Sequence, residues 1–210
     1  SLESAIEFYA DLKGRMHKYG RSPDDLKIMP GLNPIVGATE AEAREKHEYL
    51  QSLIHPDVGR SLLSWDLGGM DLSDAPIDEE LPYDRVPTDT NGSKSTLQRI
   101  VEMAKKEKMT IRQLYQRYGG ARGQQTLIGT AEQIADHMEQ WFLKGGVDGF
   151  LIQPAVSPVG LTDFVDHVVP ELQRRGVFRT EYEGKTLREN LGLSRPFSRY
   201  ASAQSTKAAE

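Results

Sequence analysis

The sequence predicts a parallel α/β fold with too few strands to complete its own sheet. Three observations predict it. The segment Ile128–Phe142 followed by Gly145–Ile152 reads as a loop, an amphipathic helix, a glycine stop and a short apolar strand, which is one βα turn of a parallel repeat. Four helix starts carry the Thr-x-x-Glu/Gln capping box, at Thr39, Thr110, Thr130 and Thr186. Helical and strand-like stretches also alternate along the chain, as right-handed βα units require. A complete barrel needs about 250 residues and eight strands. The 210 residues offer two clear strands, or three with Thr126–Ile128. The expectation is therefore a fragment, or a chain whose sheet a partner completes.

Taken in order, residues 2–19 space Leu2, Ala5, Ile6, Tyr9, Leu12 and Met16 as a helix, and Gly20 stops it. Ser22-Pro-Asp-Asp25 is a turn. Leu26–Leu32 reads as a strand whose C-terminal end is broken by Pro30 and Gly31. The helix opened by Thr39 runs to about Leu53. Residues 55–94 are rich in Gly, Pro, Asp and Ser and read as a long loop, of the kind that is functional or mobile. Residues 95–107 form a helix with Leu97, Ile100, Val101 and Ala104 on one face, and Thr110 opens another to Tyr118. The helix after Thr130 carries Ile134, Met138, Trp141 and Phe142 and ends at Gly145-Gly146. Gly149–Ile152 is the next strand, and residues 161–175 form a helix that Pro170 should kink or split. Ala201–Glu210 is a small, polar tail.

Composition removes whole classes of function. A formal charge of −5, with basic residues scattered among acids, argues against a nucleic-acid surface. The absence of cysteine excludes a disulfide framework, a Cys–zinc site and a Cys nucleophile, and it fits a cytoplasmic protein. No apolar run approaches the roughly 18 residues of a membrane span, and Ser1 opens into a helix carrying Glu3 and Glu7 rather than a signal peptide. The five histidines show no metal-ligand spacing. No nucleophile-elbow, P-loop or dinucleotide glycine motif occurs.

Several segments together resemble a known family. Leu26–Gly37, Thr39-Glu-Ala-Glu-Ala43, Ala121-Arg-Gly123, Gly129–Asp136, Asp148-Gly-Phe150, Phe164–Tyr182 and Thr186–Gly192 resemble the C-terminal half of the nitrilotriacetate and dibenzothiophene-sulfone monooxygenases, of the bacterial-luciferase-like superfamily. The likeness spans nearly all of the chain except residues 56–90 and the tail. It implies a luciferase-like TIM barrel represented by its last strands and helices, here the seventh and eighth, with 55–94 as an insertion and 1–200 as one domain. It also implies a reduced-FMN-dependent monooxygenase. In that chemistry a separate flavin reductase supplies FMNH₂, O₂ is activated as a peroxyflavin, and a small organic substrate is oxidised. A homo-oligomer or a completing N-terminal half is expected, because an open half-barrel exposes apolar edges. The competing expectation is a non-catalytic barrel half serving in assembly or binding.

Barrel chemistry sits at the C-terminal ends of strands. On that rule Gly31 would leave room for the flavin, and Asn33 would offer an amide to it or to the substrate. Gln153, after the second strand, would bond a flavin edge, and Arg122 would meet the FMN phosphate or a substrate carboxylate. Trp65, Met70 and Tyr83 are lid or substrate contacts if the long loop covers the pocket. His55, before Pro56, is the histidine singled out as an acid–base candidate.

Overall fold

The computed structural model describes residues 1–121 and 124–196. Arg122, Gly123 and the tail lie outside the described residues. Two compact units emerge, each drawn from separate stretches of the chain.

The first unit comprises Ser1–Pro30, His137–Phe150 and the described residues from Glu171 on. Helix α1 (Leu2–Gly14) ends in a 3₁₀ turn, Met16–Tyr19, which Gly20 closes at φ 66°. Positive φ costs glycine nothing because it has no Cβ. The unit is organised around Asp148. Its carboxylate accepts from the Tyr9 hydroxyl at 2.9 Å, the Ile28 amide at 2.7 Å and the Lys13 ammonium at 3.0 Å. Lys13 is only 6% exposed. It uses its remaining donors on the carbonyls of Pro23 and Leu26, at 2.9 and 2.5 Å. Burial raises the Asp148 pKa, but the Ile28 amide, Lys13 and Tyr9 outweigh it and hold the carboxyl below its ordinary value. A second ion cluster joins Arg175 to Glu139 at 2.8 Å and to Glu171 at 2.7 Å. Hydrogen bonds from Arg174 and Arg175 draw Glu171 down to about 2.

This network explains why Leu26–Met29 is not the strand that was expected. The Ile28 N–H goes to the Asp148 carboxylate, and the Ile28 carbonyl accepts from the Asp148 N–H at 2.9 Å. A side chain has taken the donor a neighbouring strand would have used. The strand instead starts where breaking was expected: β1 is Gly31–Val36.

The second unit comprises Gly31–Asp136 and Leu151–Pro170. Its sheet is parallel, with β2 (Gln125–Gly129) and β3 (Leu151–Ile152) on either side of β1. Consecutive barrel strands lie side by side, whereas here the first strand in the chain is the central one. Pro34 explains why β3 pairs so briefly. Leu32 O accepts from the Gln153 amide at 2.8 Å, so every second residue of β1 faces β3. The next such residue is Pro34, which has no N–H to extend the ladder. The expected strand began at Gly149, but Gly149 and Phe150 lie before the ladder, which opens at the Gly31–Leu151 pair, and β3 is Leu151–Ile152.

Helix α2 (Glu40–Ser52) follows β1 through Gly37, where a Cβ would lie 2.5 Å from the Ala43 amide nitrogen. Residues 55–94 are not one loop. Helix α3 (Pro56–Asp66) begins there, with Pro56 in its first turn and the His55 ring as its cap, and a 3₁₀ turn covers Tyr83–Arg85. Leu63, Leu67, Met70, Leu72, Ala75 and Leu81 are buried with residues of α4 (Lys94–Glu107) and α5 (Ile111–Ala121) in one hydrophobic core. Composition suggested a loop because the glycines and aspartates between these apolar anchors form tight turns. Gly59 lets α3 approach α5: a Cβ there would meet the ring of Tyr115.

All four expected caps form. Thr110 and Gln113 exchange bonds at 2.9 and 3.2 Å, Thr130 and Gln133 at 3.0 and 3.4 Å, and Thr186 and Glu189 at 2.9 and 3.2 Å. Thr39 accepts from the Glu42 amide at 3.2 Å, but Glu42 reaches back to Ala38. Helix α6 (Ala131–Leu143) links β2 to β3. The helix at Pro170 is split as expected. Helices α7 (Val159–Asp163) and α8 (Val169–Arg174) are separated by a π turn at Phe164–Val168, and Val169 donates to Phe164 O. Helix α9 (Leu187–Asn190) follows the Thr186 cap. No helix among the described residues is long and apolar enough to cross a membrane.

Candidate functional site

A cavity of about 710 Å³ lies in the second unit, against one face of its sheet. That is within the range of small-molecule sites. Asn33 and Ile35 of β1 face it, as do their register partners Thr126 and Ile128 of β2. Parallel pairing places these four side chains in a ladder on one face. Helix α2 presents His47, Leu50 and Gln51 to the cavity, α5 presents Gln113, Gln116 and Arg117, and Ala155 follows β3. Leu50, Ile54, Ile35 and Ile128 make the wall partly apolar.

Two polar atoms of this wall are buried without a hydrogen-bond partner: Asn33 Oδ1 and Gln51 Oε1. Asn33 is 5% exposed. A buried carbonyl oxygen without a donor is costly, and such atoms in a cavity wall point to a ligand or ordered water. Gln51 Nε2 lies 3.0 Å from His47 Nε2. In this contact the His47 tautomer sets which partner donates. Burial pushes the His47 pKa down, which keeps the ring neutral. Arg117 is the only Lys or Arg among the described lining residues, and it is paired with Glu107 at 2.7 Å.

A smaller cavity of about 290 Å³ opens where β1 and β2 end, between Val36–Ala38 and Thr130–Glu132. Lys46 crosses it, bonded to Val36 O at 3.0 Å, Glu42 at 3.0 Å and Asp163 at 3.6 Å.

Of the expected site residues, Asn33 lines the large cavity. It sits within β1 rather than beyond the strand end, because the strand begins at Gly31. Gly31 opens β1, and the space a side chain would take is filled by the Gln124 carboxamide. Gln153 is exposed, and its amide serves the ladder to Leu32. Arg122 lies outside the described residues. His55 caps α3, accepting from the Asp57 amide at 3.3 Å, and it does not line either cavity. Met70 is core and Tyr83 packs against that core, whereas Trp65 is 83% exposed. His47 and Gln51 went unnoticed in the sequence. Their signal was present: with Ala43 and Leu50 they share the inward stripe of α2, where polar residues are out of place. Among the described residues no cluster of three or more acidic or histidine ligands could hold a metal.

The chain is similar to several known proteins. A family profile described as luciferase-like monooxygenase matches residues 1–149. Nitrilotriacetate monooxygenase component A of Aminobacter aminovorans is 52% identical over 196 residues, covering 93% of this chain and 43% of that protein. The crystal structure of DmoA from Hyphomicrobium sulfonivorans superposes with a TM-score of 0.74 at 30% identity, over 91% of this chain and 39% of the other. Riboflavin lyase RcaE, solved with modified FMN and riboflavin, also gives 0.74, at 25% identity over 95% of this chain and 43% of the other. The chain thus spans under half the length of the relatives it matches.

Proposed function

The chain belongs to the luciferase-like monooxygenase family, and from that premise we propose that it forms part of a reduced-FMN-dependent monooxygenase of a two-component system. A separate flavin reductase would supply the FMNH₂, and a small organic molecule would be the substrate. In family terms the chain corresponds to the last part of the barrel, with residues 55–94 as an insertion.

The observation that carries the reading, beyond the family itself, is the cavity against β1 and β2 with its two orphaned acceptors. Its residues fit the ring system of a reduced flavin. Ile35, Ile128 and Leu50 offer apolar surface to a planar ring, and the Asn33 carbonyl lacks the N–H donor that such a ring carries at its edge. When bound, reduced FMN would supply the two electrons that take one atom of O₂ to water while the other enters the substrate. The residues of this chain would bind, orient and exclude water. Asn33 accepts from a flavin or substrate N–H, and neutral His47 can take up a proton at its unprotonated ring nitrogen. Gly31, packed against the Gln124 carboxamide, and the exposed Gln153 stand outside this cavity, and an anionic group of the cofactor or substrate is proposed for Arg122.

The test is turnover by the protein at its natural length with FMNH₂, ¹⁸O₂ and a reductase. Label from O₂ in an oxidised organic product, lost when FMN is omitted, is the expected result. An FMNH₂-loaded protein that only drains electrons to peroxide with every substrate class tried would sink the reading.

A further inference from the structure

We propose that the ion pair between Lys46 and Asp163 is a latch. It fastens a strap, residues 154–163, beside the cavity assigned to the flavin, and its opening sets how fast reduced flavin enters and leaves. This rests on the monooxygenase reading, because a chain that takes FMNH₂ from a separate reductase must exchange flavin between turnovers.

The strap runs from one cavity to the other: Ala155 lines the larger and Asp163 the smaller. It is anchored at both ends. Before it, the Gln153 amide donates to Leu32 O at 2.8 Å, and after it Phe164 and Val168 are buried. Between these anchors Val156, Val159 and Leu161 are exposed, so little buried apolar surface holds the middle down. Its helix, α7, has 5 residues, too few to persist without a tether. The tether itself is suited to release. Lys46 donates to Val36 O and pairs with Glu42, each at 3.0 Å, whereas Asp163 lies at 3.6 Å, beyond hydrogen-bond length. An ion pair at that distance between partly exposed groups is weak and is screened by salt. When Asp163 leaves, the ammonium keeps its other two partners, so α2 and the end of β1 stay in place while the strap lifts. The same helix presents His47, Leu50 and Gln51 to the larger cavity. The latch thus ties the strap to the helix that walls the flavin cavity.

The experiment measures amide hydrogen exchange and flavin release on the protein at its natural length. Asp163→Asn removes the charge and keeps the shape. It should speed exchange at the Gly160, Leu161 and Thr162 amides, which bond back to Val156 O and Pro158 O, by about fivefold, equivalent to about 1 kcal/mol. Amides of the α4–α5 core should keep their parent rates, because a general loss of stability would loosen them as well. Dissociation of FMNH₂, timed anaerobically by stopped flow, should quicken by a similar factor. Added KCl should reproduce both effects in the parent and leave the variant unmoved. If the substitution loosens the core, the salt series on the parent decides alone. Unchanged strap exchange in both the variant and high salt overturns the latch. FMNH₂ that binds but leaves a loosened strap at an unchanged rate overturns the gate and leaves the monooxygenase reading standing. Failure to bind FMNH₂ overturns that reading, and the gate with it.

Discussion

Asp148 shows how much one side chain can decide. It takes the Ile28 amide, the Tyr9 hydroxyl and the buried Lys13 ammonium, and so it turns a stretch with strand-like residues into an irregular one. Asp148→Asn keeps the shape but leaves Lys13 charged and uncompensated, so it should cost about 3 kcal/mol, measured by urea denaturation. Its pH dependence follows from the depressed pKa. The stabilisation is fully present above the unfolded carboxyl value of about 4 and is lost as pH falls through the lower folded value. The acid limb of stability should therefore be flatter in the Asn variant than in the parent. Equal limbs would mean that other carboxylates, Glu171 among them, carry the acid sensitivity.

Among the elements, the helices are specified locally and the strands are not. Thr130 caps α6 through bonds that involve only itself and Gln133. Thr130→Ala should cost about 1 kcal/mol and lower the melting temperature by about 3 °C. The α3–α5 contact depends on a missing side chain. Gly59→Ala raises helix propensity yet drives a methyl into the Tyr115 ring, so thermal melting should fall rather than rise. A rise would show that α5 can retreat at little cost. The π turn before Pro170 follows from the proline, which cannot donate and crowds the preceding turn. That much was legible from a single residue.

For the whole molecule, the sheet has three strands, and the outer edges of β2 and β3 have no partner strand among the described residues. Parallel sheets are ordinarily covered on both faces and extended at their edges. The 210-residue chain in isolation is therefore expected to self-associate, sedimenting above its 23.5 kDa monomer with a mass that rises with concentration. Leu151→Lys places a charge on β3, at an exposed position, and should reduce that association. A monodisperse monomer across the concentration range would show that the open edges are harmless as they stand.

The sequence by itself determined the parallel α/β class, the four threonine caps, the split at Pro170 and the family resemblance, because each rests on residues close together in the chain or on a pattern of such segments. It also singled out Asn33, which the fold places in the wall of the larger cavity. Only the tertiary structure decided that β1 begins at Gly31, that β1 lies between β2 and β3, and that Met70 is core rather than lid. The same holds for the cavity, whose wall joins Asn33, Gln51, Arg117 and Thr126 across nearly a hundred residues. The physical reason is range. Caps and helical stripes are satisfied within one or two turns, whereas a strand's donors and a cavity's acceptors are assigned by whichever distant group arrives beside them.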